Sequence, residues 1–468
     1  MKTFNWLLLV LMAVGCSKTP NPERCCVDAA DCASQGLDES MRACGAGLAC
    51  VANECIVASC STGGCAANAP VCEIGSDTCA GCDSAADCAR FPTEHVCDDS
   101  SGACVQCVTP ANCGESTPVC DANACRGCEL DSECASGACG DNGACVAAVE
   151  VVYLDPAGSD TGDCTNAQPC RTIPFGVSRT SMTRTHLVMR TGVYTMETFY
   201  ELRAQQTNAA SLTFHGSGSN LNGGFYEGPK LLFGIPVTIR DLTISIMFGR
   251  GLRFEPGASS VLERVKIQTD TTALEVDGEV TVRDFLLDTS PGRDGGQAIL
   301  IGTGAALTLE RGTIAGFRRA ISSFAVVSFK ATSVMIHGAT AIAVELPEAQ
   351  GSMSFVTIAG SGTDTGTGPR AVLCGPSMTI SSSIIWAPGT SARVPVSGCN
   401  LVSSIVGPTA IAGIPSSDPL FVDAANRDYH LRSNSPAKDM VAAGPNLDFE
   451  GDPRPRGAGF DVGADEAP

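Results

Sequence analysis

Short apolar triplets recur between residues 237 and 407, each after a polar or turn-like stretch. They are Val265-Lys266-Ile267, Phe285-Leu286-Leu287, Gly312-Thr313-Ile314, Val334-Met335-Ile336, Val356-Thr357-Ile358 and Ile384-Ile385-Trp386. The third residues of these triplets are separated by 20, 27, 22, 22 and 28 positions. Leu242-Thr243-Ile244 comes 23 positions earlier. Strand-like segments with a period of twenty-odd residues predict a β-solenoid.

Alternation within the repeats predicts which side chains point inward. Val, Ile, Leu and Phe would fill the interior, and Ser, Thr, Arg, Lys and Asp would face solvent. Gly316, Gly338 and Gly360 would mark corners. About nine coils spaced by about 4.8 Å would give a rod roughly 45 Å long. Cys374 and Cys399 are 25 residues apart, close to one coil, so we expect a disulfide that joins neighbouring coils.

The region before the solenoid is rich in cysteine and poor in large apolar residues. Of the 27 cysteines, 22 lie between residues 25 and 145. Cross-links must therefore replace a conventional core, each contributing about 2–4 kcal/mol. The cysteines form five groups of four whose pairing stays open, with Cys25 and Cys55 left over. The groups are Cys26/32/44/50, Cys60/65/72/79, Cys82/88/97/104, Cys107/113/120/125 and Cys128/134/139/145.

A metal-binding or redox role is an alternative to a structural role for this region. The CxxC pairs could bind zinc or act as redox centres, but His95 is the one histidine in the region. Asp31, Asp87 and Glu133, each just before a second cysteine, could bind calcium. No Asp-x-Asp-x-Asp-Gly loop is present, and short polar side chains that bond turn amides explain the pattern as well. The sequence therefore predicts no cofactor or metal site, with calcium as the open alternative.

The first sixteen residues read as an export signal. Trp6 to Val14 is an apolar run too short to span a bilayer, and it ends in small residues before Cys16. This ending resembles the lipobox of bacterial lipoproteins, which implies cleavage before Cys16 and its lipidation. Ser17 is typical of sorting to the outer membrane. Removing Cys16 leaves 26 cysteines, an even number that suits an oxidising compartment. An ordinary signal peptide near a cysteine is the alternative.

Three further stretches carry family resemblances. The repeated phrase Cys82-Asp-Ser-Ala-Ala-Asp-Cys88 resembles cysteine-rich repeats on surface proteins of myxobacteria. The phrase from Tyr153 to Ile173 resembles the entry of exported right-handed parallel β-helices of the pectin-lyase-like superfamily. That likeness implies a capping segment at about residues 172–183 and a Cys164–Cys170 disulfide. The run from Asp418 to Asp465 resembles the "choice-of-anchor Q" region, which implies a C-terminal cap.

These predictions together divide the chain into five regions. It comprises a signal peptide (1–16), a tether (17–24), cysteine-rich repeats (25–148), a parallel β-helix (149–417) and a C-terminal capping region (418–468). The fold class is all-β. The net charge is −20, and residues 17–150 alone hold 20 acidic and 5 basic residues. This balance argues against nucleic acid and anionic lipid headgroups as partners.

No recognised catalytic motif of the superfamily is present in the repeats. The best local cluster of charges contains Arg283, Asp284, Asp288, Arg293 and Asp294, which could converge with Asp270 and Asp277. A solvated polar edge explains these residues equally well. His215, His337 and His430 are expected to be turn histidines without partners.

The sequence therefore predicts a non-enzymatic lipoprotein of the outer membrane. It would be anchored to the membrane through its N-terminal lipid and would present the β-helix for adhesion or polysaccharide binding. The alternative is a diverged polysaccharide lyase or glycoside hydrolase.

Overall fold

A computed structural model describes residues 48–51, 54–57, 60, 65–73, 76, 78–196, 200–223, 229–246, 249–289, 295–362, 371–387 and 394–468. The signal segment, Cys16, Arg293 and Asp294 lie outside these residues. The chain divides into two compact units, one of residues 1–128 and 141–144, the other of residues 129–140 and 145–468. No helix in the described part of the chain is long and apolar enough to cross a membrane.

The described part of the first unit consists of small antiparallel hairpins held by disulfides. Its strands are Leu48–Val51, Glu54–Val57, Val71–Glu73, Thr78–Ala80, Val96–Asp98, Ala103–Val105, Val119–Asp121 and Ala124–Arg126. Its short 3-10 helices are Ala85–Cys88 and Pro110–Asn112. In three successive groups the first cysteine bonds to the third and the second to the fourth. These bonds are Cys60–Cys72, Cys65–Cys79, Cys82–Cys97, Cys88–Cys104, Cys107–Cys120 and Cys113–Cys125.

In the phrases that begin at Cys82 and Cys107, the polar residue before the second cysteine fixes a turn. The Asp87 carboxylate accepts hydrogen bonds from the backbone N–H groups of Asp83 (3.1 Å) and Ser84 (2.9 Å). Asn112 makes the matching contacts one unit later, accepting from the N–H groups of Val108 and Thr109. The pKa of Asp87 is lowered because these N–H groups stabilise the carboxylate. The Asp87 carboxylate therefore bonds the amides of a turn, as predicted from its short polar side chain.

The second unit is a parallel β-helix. Most coils contribute two strands to a continuous wall, or one long strand bent at a corner, and a third strand to a separate sheet. The wall strands are Val151–Leu154, His186–Met189, Val193–Met196, Leu212–His215, Asn220–Gly223, Val237–Arg240, Thr243–Ile246, Ser259–Glu263, Lys266–Thr269, Glu279–Asp288, Ala306–Ala315, Ser328–His337, Gln350–Ala359, Met378–Ser381, Ile384–Trp386, Asn400–Val402 and Ile405–Gly407.

The third strands form a sheet of nine among the described residues, all paired in parallel. They are Tyr200–Leu202, Pro229–Phe233, Arg250–Phe254, Thr272–Val276, Gly295–Ile301, Phe317–Ser322, Ile342–Leu346, Val372–Cys374 and Val396–Ser397. The fold class predicted from the repeats is therefore confirmed. The disulfide Cys374–Cys399, with a Cα separation of 5.2 Å, joins successive coils.

Stacked apolar rows fill the interior. Ile267, Leu287, Ile314, Ile336 and Ile358 follow one another in register and are almost wholly buried. The next residue in this row is Ile385, because it pairs with Ile358, whereas Trp386 pairs with Ala359. The predicted register of the last triplet was therefore wrong by one residue. Trp386 faces outward and packs against the C-terminal segment.

The N-terminal end of the coils is covered by a short helix, Ile173–Val177. Ile173 and Val177 are buried in the main core together with Cys164 and Cys170, which form a disulfide with a Cα separation of 4.8 Å. The helix packs closely here, because a Cβ atom at Gly176 would lie 2.5 Å from the end of the Leu154 side chain, which would have to move. The 3-10 helices Asp131–Glu133 and Ala148–Glu150 precede the coils.

The C-terminal segment packs against the side of the last coils. It contains the hairpin Phe421–Asp423 and Asp428–Leu431 and the 3-10 helix Ala424–Asn426. A second apolar core joins residues of this segment to outward-facing residues of the coils. Its members are Met335, Ala359, Ile384, Ile405, Phe421, Tyr429, Leu431, Ala437, Val462, Ala464 and Ala467. Ile411 and Ile414, just before this segment, instead pack on the main core.

Candidate functional site

The charged residues singled out in the sequence lie on different parts of the coils. Arg283 and Asp284 are adjacent at a corner of the strand Glu279–Asp288. Asp288 ends the same strand, where its carboxylate accepts a hydrogen bond from the N–H of Thr289 (2.7 Å). Asp277 forms an ion pair with Arg253 (2.9 Å) on the third-strand sheet. The structure therefore does not bring Asp277 and Asp288 together with Arg283 and Asp284.

Arg283 belongs to a row of alternating charges that crosses successive coils. The row contains Arg240, Glu263, Arg283 and Glu310. Arg240 pairs with Glu263 at 2.9 Å, and Arg283 pairs with Glu310 at 2.8 Å and with Glu263 at 3.4 Å. The hydrogen bond to Glu310 raises the pKa of Arg283. Each carboxylate in the row thus has a guanidinium partner.

A second row lies beside it and has the opposite order of charges. It contains Asp241, Arg264, Asp284 and Arg311, all with left-handed backbone angles of φ 51° to 53°. Arg264 bonds both oxygens of Asp241 (2.7 and 2.8 Å), and Arg311 bonds both oxygens of Asp284 (2.7 and 3.0 Å). A left-handed angle costs a non-glycine residue about 1–2 kcal/mol, and the stacked corner holds it in place. Arg283 and Asp284 are therefore engaged in structural pairs.

The charged rows give way to hydroxyl groups in the following coils. The row that contains Glu310 continues as Thr332, Ser354 and Ser381, and the neighbouring outward row contains Thr308, Lys330, Ser352 and Thr379. We call the seven residues other than Glu310 the hydroxyl face, because six of them carry a hydroxyl group and the seventh is Lys330. All seven side chains are exposed or half-buried. The hydroxyl oxygens of Thr332 and Ser354 are 3.3 Å apart, so these two neighbouring coils place one hydroxyl beside the other.

A groove runs between this face and the C-terminal segment. It has a volume of about 370 Å³, and we call it the corner groove. Its lining residues are Glu310, Arg311, Lys330, Thr332, Ser333, Pro445, Asn446 and Leu447. Ser333 fixes the two walls to each other, because its hydroxyl donates to the Leu447 carbonyl (3.1 Å). Lys330 is exposed, lines the groove and makes no ion pair with any described residue.

A buried arginine holds the C-terminal wall of the groove. The backbone N–H of Arg454 donates to the Asn446 carbonyl (2.8 Å). Its fully buried guanidinium bonds Glu466 (2.7 Å) and the carbonyl of Asp461 (2.7 Å). The same group lies 4.9 Å from the ring centre of Phe355, a coil residue. Arg454 therefore links the groove wall, the chain terminus and the coils.

The three histidines expected at turns each have a partner that the sequence did not reveal. His215 is wholly buried, with Nδ1 2.8 Å from Asp131 and Nε2 3.0 Å from His186. Burial lowers the pKa of His337 to about 4, and its ring packs on Tyr429 (5.3 Å).

His430 lies between Asp428 (2.6 Å) and Glu450 (3.0 Å). Burial lowers its pKa, but the hydrogen bonds to Glu450 and Asp428 outweigh burial and raise the pKa to about 9. Most partners of these histidines are 20 to 92 residues away in the sequence. The exception is Asp428, which lies two residues from His430 in the same hairpin strand. Only the last kind of pair leaves a local signal in the sequence.

Comparison with known proteins locates two similarities. A model of a family of unknown function (DUF8331) matches residues 57–151, which are mostly cysteine-rich. No curated protein matches the chain. Among solved structures, the crystal structure of pectate lyase Pel9A is similar, with 14% identity and a TM-score of 0.35. The match covers 68% of this chain and 96% of that one. The fold assignment rests on the strand pairing of the chain itself.

Proposed function

We propose that this chain is a lipid-anchored protein of the cell envelope whose parallel β-helix binds a polysaccharide without cleaving it. The observation that carries the proposal is the corner groove beside the hydroxyl face. There Lys330, which pairs with no described carboxylate, and rows of Ser and Thr hydroxyls are accessible. The neighbouring carboxylates of Glu310 and Asp284 are already bound to arginines.

Hydroxyl rows suit a polyhydroxylated ligand better than the other common partners. Successive coils lie about 4.8 Å apart, which is close to the length of one sugar unit in an extended glycan. Protein interfaces usually have an apolar centre, and nucleic acids need several cations along the phosphates. The hydroxyl face carries one cation and no large apolar side chain. Hydrogen-bond exchange with sugar hydroxyls therefore fits it best.

Catalysis by the charged corner would require a carboxylate that can take or give a proton. A general base must reach the proton that it removes and must hold a pKa near the working pH. Asp284 and Glu310 are instead held in place by bidentate or short arginine pairs, so these carboxylate oxygens already bond within the protein. These pairs support binding over hydrolysis or elimination at this corner.

The proposal is tested by affinity-gel electrophoresis with a polysaccharide panel. The panel contains neutral chains (hydroxyethylcellulose, xylan, galactomannan) and acidic chains (polygalacturonate, alginate, hyaluronan). We expect at least one gel to retard the wild-type protein, while no new reducing or unsaturated ends appear in the same polysaccharide. Release of such ends would favour the lyase or hydrolase alternative. Equal migration in all gels would contradict polysaccharide binding.

A further inference from the structure

A second cavity lies at the first coil, away from the corner groove. It is bordered by the strand Val193–Met196, Tyr200 and the start of the helix Ile173–Val177. Its volume is about 490 Å³, within the range of about 300–1,000 Å³ typical of small-molecule sites. The proposed polysaccharide site does not use any of these residues.

The inner walls of this cavity are aromatic and apolar. Tyr194 is 4% exposed, and its hydroxyl donates to the Arg190 carbonyl (3.0 Å), so its ring is fixed. Burial raises the pKa of Tyr194 and raises that of Tyr200 to about 12. Met196 and Ile173 complete the walls. Methionine and tyrosine both make favourable contacts with an aromatic ring, at the thioether and at the ring edge.

Some polar groups at the mouth of the cavity already hydrogen-bond within the protein, and others are available to a ligand. Asp160 accepts hydrogen bonds from the N–H groups of Arg171 (2.8 Å) and Thr172 (3.0 Å) and from the Thr172 hydroxyl (2.8 Å). This carboxylate therefore fixes the loop. The Arg171 guanidinium, in contrast, is exposed and makes no ion pair with any described residue. The half-buried hydroxyl of Tyr200 likewise makes no hydrogen bond within the described part of the chain.

We propose that this cavity binds a hydroxylated aromatic carboxylate. The ring would lie against Tyr200 and Val193, the more accessible apolar side chains of the lining, and the carboxylate would meet Arg171, whose planar guanidinium suits bidentate binding. The Tyr200 hydroxyl would bond the ring hydroxyl of the ligand. A sugar acid would share the contact to Arg171, but it would place hydroxyl groups against the apolar surfaces of Tyr200 and Val193. The aromatic acid is therefore the better complement.

Isothermal titration of the full chain with para-hydroxybenzoate and para-hydroxycinnamate tests this assignment. We expect binding of at least one acid, weakened about tenfold or more in its neutral methyl ester, because the ester cannot make the charge-assisted bond to Arg171. Arg171→Met should cause a similar loss, and Tyr200→Phe a smaller one. Arg171 is exposed, so its replacement does not threaten folding.

The matched control is Arg179→Met. Arg179 is also an exposed arginine near the same helix, but its guanidinium lies over Phe175 (4.5 Å) and does not line the cavity. This variant should bind like the wild type. Three results would overturn the assignment: neither acid binds, glucuronate binds more tightly than both aromatic acids, or Arg171→Met binds as well as Arg179→Met.

Discussion

Replacing Arg454 with Met should destabilise the C-terminal segment by about 3–5 kcal/mol. The guanidinium is fully buried, and its partner Glu466 is 1% exposed. Its loss would leave a buried carboxylate without a counter-charge and the carbonyls of Asp461 and Gly463 without donors. Removing one partner of a buried pair is far more costly than removing the pair. We therefore expect Glu466→Gln to restore part of the stability when combined with Arg454→Met.

Urea unfolding followed by Trp386 fluorescence measures this effect. Trp386 packs against the C-terminal core, and the chain has one other tryptophan, Trp6 in the predicted signal segment. The control is Arg456→Met, because Arg456 pairs with Asp452 at the surface, where ion pairs contribute about 0–1 kcal/mol. If Arg454→Met and Arg456→Met unfold at the same urea concentration, the Arg454 pair does not hold the segment.

Replacing Cys16 with Ser should move the protein from the membrane fraction to the soluble fraction. The prediction follows from the lipobox-like ending of the apolar segment at Cys16. Two or more acyl chains give stable anchoring, whereas a chain without them has no comparable membrane affinity. Fractionation of cells that express the variant, with detection by immunoblot, measures the change.

Ser17→Ala is the control for this substitution, because it keeps the cysteine and alters the adjacent residue. It should leave the protein in the membrane fraction. Membrane association that survives Cys16→Ser would contradict the lipoprotein assignment.

The coils were predictable because their signal is local. Apolar and polar residues alternate within each strand, and this alternation predicts that Ile267, Ile314 and Ile336 point inward. The register failed at Trp386, where a large apolar residue faces outward. It does so because a segment more than thirty residues later covers it, and no local pattern contains that information. The left-handed corner at Asp284 and Arg311 was missed for a similar reason, since stacking and not residue type stabilises it.

The candidate site was less predictable, because its walls come from distant parts of the chain. Lys330 and Asn446 line one groove although more than a hundred residues separate them. The sequence located Arg283 and Asp284 but did not reveal that Glu310 and Arg311 neutralise them. Predicting that charges alternate between coils requires knowing which residues of successive coils pair. The sequence indicated this pairing for the apolar rows alone. Spacing therefore identified the rod better than the side chains that it displays.

The most direct test of polysaccharide binding at the corner groove is the affinity of Lys330→Met for the polysaccharide that retards the wild type. Lys330 is exposed, and it is the one cation of the hydroxyl face. Its loss should weaken binding about tenfold, with Lys266→Met as the control, because Lys266 is an exposed lysine on the second strand of an earlier coil. We predict that Lys266→Met binds like the wild type. Equal retardation of both variants, whether at the wild-type level or reduced alike, would contradict binding at the groove.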